Sequence, residues 1–431
     1  MPAETSVVNL EQRSFLFLQG PNTPFFPRLA DRLQSAGHRV SRINFCSGDA
    51  LFWGRRKSVA YRAPLSELGD FVEEMLTQNN TTHLVLFGDR RPVHRAAIER
   101  ARALGIAIYV FEEGYLRPYR ITLEHEGVNN HSLLPRDPQW YREMSARVPA
   151  PATPEAFHAP FRLRAAYDVT YHLAGIGDKI GFPNYHRHAP HGAPLRYAGY
   201  LRRFSMLRFI RTREFRRTNA LRASGRPYYA LPLQLSSDAQ IRDHSPFSHM
   251  GEVIEHVIES FAAHAPADAW LAIKNHPLDY GFINYGRITS SAARACGVEG
   301  RVAFFEDGSL RALLGSATGV VTVNSTSGFV ALELGRPTLA LGTPLYHLPG
   351  LTFEGSLDEF WRHCAPPEPL LYQQFTRVLT AATQVNGGFY SPEGIQRAIA
   401  NCLPILAMDH SPTRISLADL GLIPPAVSCQ R

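Results

Sequence analysis

The sequence lacks the features of a secreted or membrane-spanning protein. Its five cysteines are scattered and form no CxxC pair, which argues against a disulfide framework and against a zinc site. The first residues, MPAETSVVNLEQR, contain no apolar signal core. No stretch approaches the roughly 20 apolar residues that a membrane-spanning helix needs. We therefore expect a cytoplasmic protein, with any membrane attachment peripheral.

Two nucleotide-binding motifs are also missing. No GxGxxG follows the first predicted strand, which counts against a dinucleotide enzyme, and no GxxxxGK[ST] is present, which counts against a P-loop ATPase or kinase. Only 19% of the residues are charged and 45% are hydrophobic, so the 431-residue chain can form two α/β domains with separate cores. The net charge of +7 suits an anionic partner, namely nucleic acid, anionic lipid or an acidic substrate, or is that of an ordinary basic enzyme.

Short apolar segments alternate with helical patterns along two stretches of the chain. Strands are predicted at 14–20, 38–45, 82–88, 106–111, 228–235, 269–274, 302–305, 319–323 and 338–341. Helices are predicted at 23–37, 65–78, 93–104, 247–264, 310–314, 328–334 and 392–403. This alternation indicates α/β domains with parallel sheets covered on both faces.

We divide the chain into four regions. They are an N-terminal Rossmann-like domain (1–131), a basic, irregular connecting region (132–225), a C-terminal Rossmann-like domain (226–390), and a C-terminal helix and tail (391–431) that returns to the first domain. Two such domains facing a cleft predict a GT-B-like glycosyltransferase fold. Dehydrogenases and periplasmic-type binding proteins also have two domains, so the count alone leaves these classes open.

Ligands of open α/β sheets bind beyond the carboxyl ends of the strands. Two polar clusters in this sequence lie at such strand ends and contain carboxylates. Glu112 and Glu113 follow a predicted strand directly, and Arg117 lies just beyond them. Adjacent carboxylates influence each other's protonation, which suits one of them to act as a proton donor or base. A second strand ends in Gln234, with Asp238 and His244 after it. The alternatives are a solvated turn for the first cluster and a helix cap for the second, although a cap explains only one residue.

Two further clusters suit a phosphate. Lys274 and His276 end another strand in the pattern Lys-x-His-Pro; both side chains can hold a phosphate, and His276 can also transfer protons. The polar run Asn324–Ser327 lies between a strand and a helix, where backbone N–H groups attract anions. Glu333 on that helix is a candidate acceptor for ribose hydroxyls. The alternatives are a structural histidine and plain N-capping.

Together, these motifs resemble the capsule polysaccharide synthesis/export family. The resemblance rests on Glu-Glu-Gly-Tyr-Leu-Arg from 112, Gln-Leu-x-x-Asp from 234, Lys-x-His-Pro from 274 and Asn-Ser-Thr-x-Gly-x-x-Ala-Leu from 324. It runs from about residue 14 to 350. The family contains the Kps/Lip-type retaining β-Kdo glycosyltransferases. The acidic pair and the His-Pro element also resemble bacterial sialyltransferases.

The resemblance implies a donor, an acceptor and roles for the motif residues. The donor would be CMP-β-Kdo, and the acceptor a phosphatidylglycerol-type lipid or its Kdo linker, with retention of the β configuration. Asp238 would be the nucleophile and Glu113 the acid/base, with His276 near the CMP phosphate. The implied donor-binding residues are Gln234, Lys274, His276, Asn324, Ser325, Thr326, Ser327 and Glu333, and the other cleft candidates are Glu112, Arg117 and His244.

The resemblance also implies which cofactors, protein partners and cellular location to expect. No metal and no cofactor would be required, because the donor is a monophosphate, and the absence of an obvious Asp-x-Asp motif agrees with that. The protein would work with the capsule synthesis/export machinery on the inner face of the inner membrane. The family often has Asp where this chain has Glu113, and some relatives have two transferase modules where this chain has room for one. We therefore expect a single linkage to be made.

An arginine-rich segment, Arg196–Arg226, contains ten arginines and one acid, Glu214. Leu201, Phe204 and Leu207 are spaced as in an amphipathic helix, which predicts contact with anionic lipid. A solvated or interdomain surface is the main alternative. We do not expect nucleic-acid binding, because no recognisable module and no series of stacking aromatics is present.

Other functions remain open at this point. The chain can be a non-catalytic export or assembly protein of the capsule machinery, or a transferase using CMP-sialic acid or a UDP-sugar. A scaffold has no need of both Glu113 and Asp238 at strand ends, so these carboxylates separate the first alternative from an enzyme.

Overall fold

A computed structural model describes residues 12–185, 192–235, 247–408, 415 and 418–422. Asp238 and His244, which the sequence singles out, lie outside the described residues, as do Ser236 and Ser237. Within the described ranges, no helix is both long enough and apolar enough to cross a bilayer.

Nine of the twelve strands in the described residues follow the predicted apolar runs. In chain order the strands are β1 (Ser14–Phe17), β2 (Arg39–Asn44), β3 (Val59–Ala60), β4 (His83–Phe87), β5 (Ala107–Glu113), β6 (Arg120–His125), β7 (Tyr228–Pro232), β8 (Trp270–Lys274), β9 (Val302–Phe305), β10 (Gly319–Thr322), β11 (Thr338–Ala340) and β12 (Gln384–Asn386). Strands β3, β6 and β12 were not predicted.

The helices also follow the predicted pattern, and several more occur. They are α1 (Phe25–Ser35), α2 (Ser47–Trp53), α3 (Leu68–Gln78), α4 (Pro92–Ala103), α5 (Pro138–Arg147), α6 (Phe161–Ala174), α7 (Asp178–Gly181), α8 (Ala193–Ala223), α9 (Met250–His264), α10 (Tyr285–Ala295), α11 (Leu310–Gly315), α12 (Ser327–Glu333), α13 (Leu357–His363), α14 (Pro369–Thr383) and α15 (Pro392–Met408). Short 3-10 turns lie at Leu65–Glu67, Asn129–His131, Gly175–Gly177 and Glu299–Arg301.

The chain divides into two compact units, each with its own sheet. Unit 1 comprises Met1–Leu134, Arg147–His188 and Arg377–Arg431, and unit 2 comprises Pro135–Ala146 and Ala189–Thr376. The stretch 132–225, interpreted from the sequence as one connecting region, is thus divided between the units. Helix α15 belongs to unit 1 and packs with α1 in its core.

The sheet of unit 1 has the order β12-β6-β5-β4-β1-β2-β3. Strands β1, β2, β4 and β5 are parallel, and β6 and β12 add two antiparallel strands beside β5. Alternate residues of each strand point to opposite faces. Phe15, Phe17 and Phe111 therefore join the core under α1 and α15, whereas Leu16 and Val110 join the core under α3 and α4.

The sheet of unit 2 has the order β11-β10-β7-β8-β9 and is parallel throughout. Its strands are apolar on both faces, as a doubly covered parallel sheet requires. Leu231 and Ile273 pack toward α9 and Trp361, and Ala230 and Ala272 pack on the opposite side. One unit with a mainly parallel sheet, one with a wholly parallel sheet and a C-terminal helix that packs in the first confirm the predicted α/β, Rossmann-like, GT-B-like class.

One strand boundary departs from the sequence prediction. The sequence predicts that the strand ends at Phe111 with Glu112 and Glu113 directly after it, but both are paired residues of β5, opposite Thr122 and Ile121 of β6. The reason is the antiparallel partner β6, which extends the ladder beyond the apolar run. The predicted end of this strand at Phe111 is therefore wrong, and the alternative of a solvated turn at the two glutamates is wrong as well.

Candidate functional site

The two neighbouring carboxylates of unit 1 point to opposite faces of the sheet. Glu113 follows Phe111 on the face covered by α1 and α15, and Glu112 follows Val110 on the other face. The Glu112 carboxylate accepts a hydrogen bond from the Glu113 N–H at 2.9 Å. It also approaches Gly88, where a Cβ atom would lie 3.3 Å from Glu112 Oε2. The two side chains therefore have separate surroundings.

Glu113 lies beside a cation and a buried phenol. Arg164 Nη2 of α6 is 3.4 Å from Glu113 Oε1, and the Arg164 guanidinium stacks 4.2 Å from the centre of the Tyr390 ring. Burial, and then the Glu113 carboxylate, raise the pKa of the Tyr390 hydroxyl. Among the described residues, Glu113 Oε1 is buried and has no hydrogen-bond partner. A carboxylate is a group that can accept a proton from a hydroxyl group, so Glu113 is suited in type to act as an acid/base.

A histidine–aspartate pair at the same edge of the sheet was missed by the sequence analysis. His131 Nδ1 lies 2.8 Å from Asp89 Oδ2, and Asp89 is buried just beyond β4. Strand β4 is the neighbour of β5, and the Gly88 N–H donates to Phe111 O at 2.9 Å. The only signal in the sequence was an aspartate two residues after an apolar strand, and its partner lies 42 residues away.

In unit 2, a pair of amides joins the ends of two neighbouring strands. Gln234 Nε2 donates to Asn324 Oδ1 at 2.9 Å, and the Asn324 N–H donates to Gln234 Oε1 at 3.1 Å. Gln234 follows β7 and Asn324 follows β10, which are adjacent in the sheet. The structure thus brings together two of the residues that the sequence selected independently.

The loop Asn324–Gly328 is held by its own hydrogen bonds and by Tyr346. Ser325 Oγ accepts from the Ser327 N–H at 3.1 Å, and Ser325 O accepts from the Gly328 N–H at 3.0 Å. The Tyr346 hydroxyl donates to Ser325 O at 2.7 Å. A Cβ atom at Gly328 would lie only 2.2 Å from this hydroxyl, so Tyr346 requires glycine there. Two N–H groups at the start of α12 are therefore already used, and Thr326 makes no capping bond with its side chain.

Lys274 and His276 lie at the end of β8, on the other side of β7 from Asn324. Lys274 is buried and donates to Asn275 O at 3.2 Å. Burial lowers the pKa of Lys274, and nearby acids, Asp307 first, oppose that shift. His276 Nδ1 accepts from the Leu278 N–H at 3.1 Å, so the neutral ring carries its proton on Nε2.

Arg203 of the basic helix α8 binds residues of the loop that follows β8. Its guanidinium donates to Asp279 Oδ2 at 2.6 Å and to His276 O at 3.2 Å, and it is 3.4 Å from Glu306 Oε2. The residue is only 3% exposed. Our sequence interpretation of all the arginines in this segment as available to a lipid surface is therefore wrong for Arg203, because a buried ion pair holds it.

Two other candidates have partners that the sequence did not indicate. Both carboxylate oxygens of Glu333 accept from Arg311, at 2.8 and 2.9 Å, and these hydrogen bonds lower the pKa of Glu333. Arg117 Nε donates to Gly114 O at 3.1 Å. A ribose hydroxyl that binds Glu333 must share the carboxylate with Arg311.

Comparison with known proteins identifies the family. The family model described as capsule polysaccharide biosynthesis protein matches residues 82–390. The chain is 32% identical to the capsule polysaccharide export protein KpsS of Escherichia coli, over 90% of this chain and 100% of that one. It is 34% identical to the capsule polysaccharide modification protein LipB of Neisseria meningitidis serogroup B, over 88% of this chain and 92% of that one.

A solved structure of the Thermosulfurimonas dismutans KpsC beta Kdo 2,7 transferase aligns with 91% of this chain and 100% of its own, at 14% identity and a TM-score of 0.42. The match to the family model and the identity to KpsS and LipB extend over most of the sequence. The chain belongs to the capsule polysaccharide biosynthesis family.

Proposed function

We propose that this protein is a glycosyltransferase of capsule synthesis that transfers Kdo from CMP-β-Kdo to a phosphatidylglycerol-type lipid or its Kdo linker. The observation that carries the proposal is the polar edge of unit 2. Three adjacent strands, β10, β7 and β8, end there in the Gln234–Asn324 pair and in the segment from Lys274 to His276. Membership of the capsule polysaccharide biosynthesis family and the motif resemblance to its β-Kdo glycosyltransferases support the choice of sugar.

The donor would be held by groups of unit 2. A proton on His276 Nε2 is a donor of the kind that binds a phosphate oxygen, and the Lys274 ammonium at the end of β8 adds positive charge. The Thr326 hydroxyl and the amide pair supply further polar contacts for the nucleotide. Because the N–H groups of Ser327 and Gly328 are engaged within their loop, we assign the phosphate chiefly to side chains.

The reaction would proceed by two displacements. The Asp238 carboxylate attacks the anomeric carbon, the bond from that carbon to the CMP phosphate oxygen breaks, and CMP leaves. The acceptor hydroxyl oxygen then attacks the same carbon, the bond to Asp238 breaks, and the hydroxyl proton passes to Glu113. Two inversions give retention of configuration. Arg164 beside Glu113 orients the carboxylate in this scheme.

His276→Ala is expected to weaken CMP binding about tenfold or more, because loss of a hydrogen bond to a charged phosphate costs roughly 1.5–3 kcal/mol. Isothermal titration with CMP measures the effect. His363→Ala, at an exposed position on α13 of the same unit, is the matched control and should bind as the parent does. Equal affinity of the His276 variant and the parent would remove this residue from the donor site.

Helix α8 is our proposed contact with anionic lipid, with a smaller set of arginines than the sequence indicated. Arg208, Arg213 and Arg216 are exposed, as are Phe209 and Phe215 beside them. Each basic residue near an anionic surface contributes on the order of 1 kcal/mol, and salt screens this attraction.

The triple variant Arg208→Gln, Arg213→Gln, Arg216→Gln is therefore expected to bind anionic vesicles at least about tenfold less tightly at low salt. Co-sedimentation measures it. The control replaces three arginines that are exposed elsewhere, Arg55, Arg287 and Arg294. If both triple variants lose the same amount of binding, only net charge matters and α8 is not the contact.

A further inference from the structure

Helix α6 and the turns after it carry an apolar stripe that faces solvent. Phe161, Val169, Leu173, Ile176 and Ile180 recur at steps of three, four or eight residues, which is the spacing of one helical face. Their exposed fractions are high, with Leu173 at 58%, Ile176 at 76% and Ile180 at 92%. Ala174, Gly175, Gly177 and Asp178 keep right-handed helical angles, so the face continues from α6 into α7. We call these five side chains the α6–α7 stripe.

The opposite face of the same segment is bound to the rest of unit 1 by polar contacts. The Tyr171 hydroxyl donates to Asp49 Oδ1 at 3.0 Å, and Asp178 Oδ1 accepts from the Ser47 N–H at 2.7 Å. Asp168 accepts from Asn22 Nδ2 at 3.2 Å. The inward face of the segment therefore combines these hydrogen bonds with packing of Tyr167 and Tyr171 on Phe52, while the apolar stripe points outward.

The charges around the stripe favour an anionic partner. Between residues 160 and 185 the acids are Asp168 and Asp178. Asp178 is buried, and Asp168, whose side chain is 38% exposed, accepts from Asn22 and lies 3.4 Å from His172 Nε2. The exposed charged side chains are Arg162 and Lys179, one near each end of the stripe. A line of apolar side chains flanked by exposed cations, in a segment whose two acids are both hydrogen-bonded to other parts of unit 1, is the composition of a helix that lies in a bilayer interface.

The length of the stripe fits the same partner. Nineteen residue steps at 1.5 Å give about 28 Å along a helix axis, so the stripe would lie along a membrane surface rather than form a single point of insertion. The same helix presents Arg164 to Glu113 on its inner side. A lipid acceptor whose tails stay in the bilayer would thus meet a helix that contacts both the bilayer and the proposed acid/base.

We propose that the α6–α7 stripe lies in the apolar–headgroup boundary of an anionic membrane and anchors unit 1 to it. This surface is separate in sequence from the arginine-rich helix α8. The proposal deepens the proposed function and rests on it only in taking the acceptor to be a membrane lipid. Its physical basis differs from that of α8, since burial of aliphatic groups is not screened by salt whereas attraction of arginines is.

The test uses the full chain and the double variant Ile176→Gln, Ile180→Gln with vesicles of phosphatidylcholine and phosphatidylglycerol. Both positions are exposed, so thermal unfolding should match the parent. Vesicle affinity is expected to fall by at least about tenfold, and the ratio to the parent should be the same at low and high salt. The control, Leu104→Gln with Leu370→Gln, alters leucines that are 45% and 65% exposed elsewhere and should bind as the parent does.

Two further measurements separate this proposal from others. The double variant and the parent should bind CMP with the same affinity. The vesicle result therefore does not depend on whether the donor site has been assigned correctly. Light scattering after size exclusion reports self-association. Vesicle binding that is unchanged in the double variant would overturn the proposal, and a parent dimer that the variant converts to a monomer would assign the stripe to a second copy of the chain instead.

Discussion

Glu113→Gln is expected to fold as the parent does and to lose transfer activity by about a hundredfold to ten-thousandfold, the contribution of a positioned acid/base. The change keeps the shape of the side chain and removes its ability to take the acceptor proton. Arg164 at 3.4 Å would then face an amide instead of a carboxylate. Initial rates with CMP-β-Kdo and a soluble glycerol-type acceptor measure the loss, and Glu99→Gln at an exposed position of α4 is the matched control.

Asp238→Asn tests the proposed nucleophile in the same assay, and transfer activity is expected to fall by about ten-thousandfold or more. In the Glu113 variant the covalent sugar on Asp238 should accumulate, because its breakdown requires removal of the acceptor proton; intact-mass measurement after mixing with donor detects it. A sugar adduct on Glu113 would reverse the two roles. Near-normal turnover in both variants would remove this pair of carboxylates from the mechanism.

Arg203→Ala is expected to destabilise unit 2 by about 3–5 kcal/mol, since it leaves Asp279 buried without its cation. The same change frees the carbonyl of His276 from its guanidinium donor, so CMP affinity should fall as well. Urea unfolding followed by tryptophan fluorescence measures the first effect, because Trp270 and Trp361 lie in this unit.

Arg208→Ala on the exposed side of α8 is the control for this experiment and should change stability little. Arg203→Lys keeps the charge but cannot reach all the acceptors, so a partial loss is expected. Equal unfolding midpoints for Arg203→Ala and Arg208→Ala would contradict the assignment of Arg203 to the support of the His276 loop.

Nine of the described strands could be predicted from sequence because each is a short apolar run bounded by polar or glycine residues. Val302–Phe305, for example, has the bounds that the pattern predicted. Strand β6 was not predicted, and with it the extension of β5 through Glu113 was missed. Its sequence, RITLEH, alternates polar and apolar residues and carries no signal for which strand it joins. Pairing partners depend on the whole sheet and cannot be read locally.

In the candidate site, too, single residues could be predicted from the sequence whereas their contacts could not. Gln234 and Asn324 could be selected singly as polar residues at strand ends, but their pairing follows from the order of β10 and β7 in the sheet. Arg164 and Tyr390 lie beside Glu113 from segments far along the chain. Arg203 could not be separated from its neighbouring arginines by composition, because only the packing of α8 decides which of them is buried.

The most direct test of the central claim is a transfer assay with the pure protein, CMP-β-Kdo and a fluorescent phosphatidylglycerol-type acceptor in anionic vesicles. We expect a product heavier by one Kdo residue, with the β configuration by NMR, and stoichiometric release of CMP. Preparations that bind CMP and vesicles normally but form no product with this donor would contradict the claim. Product from CMP-sialic acid under the same conditions would assign the fold and the site to a different sugar.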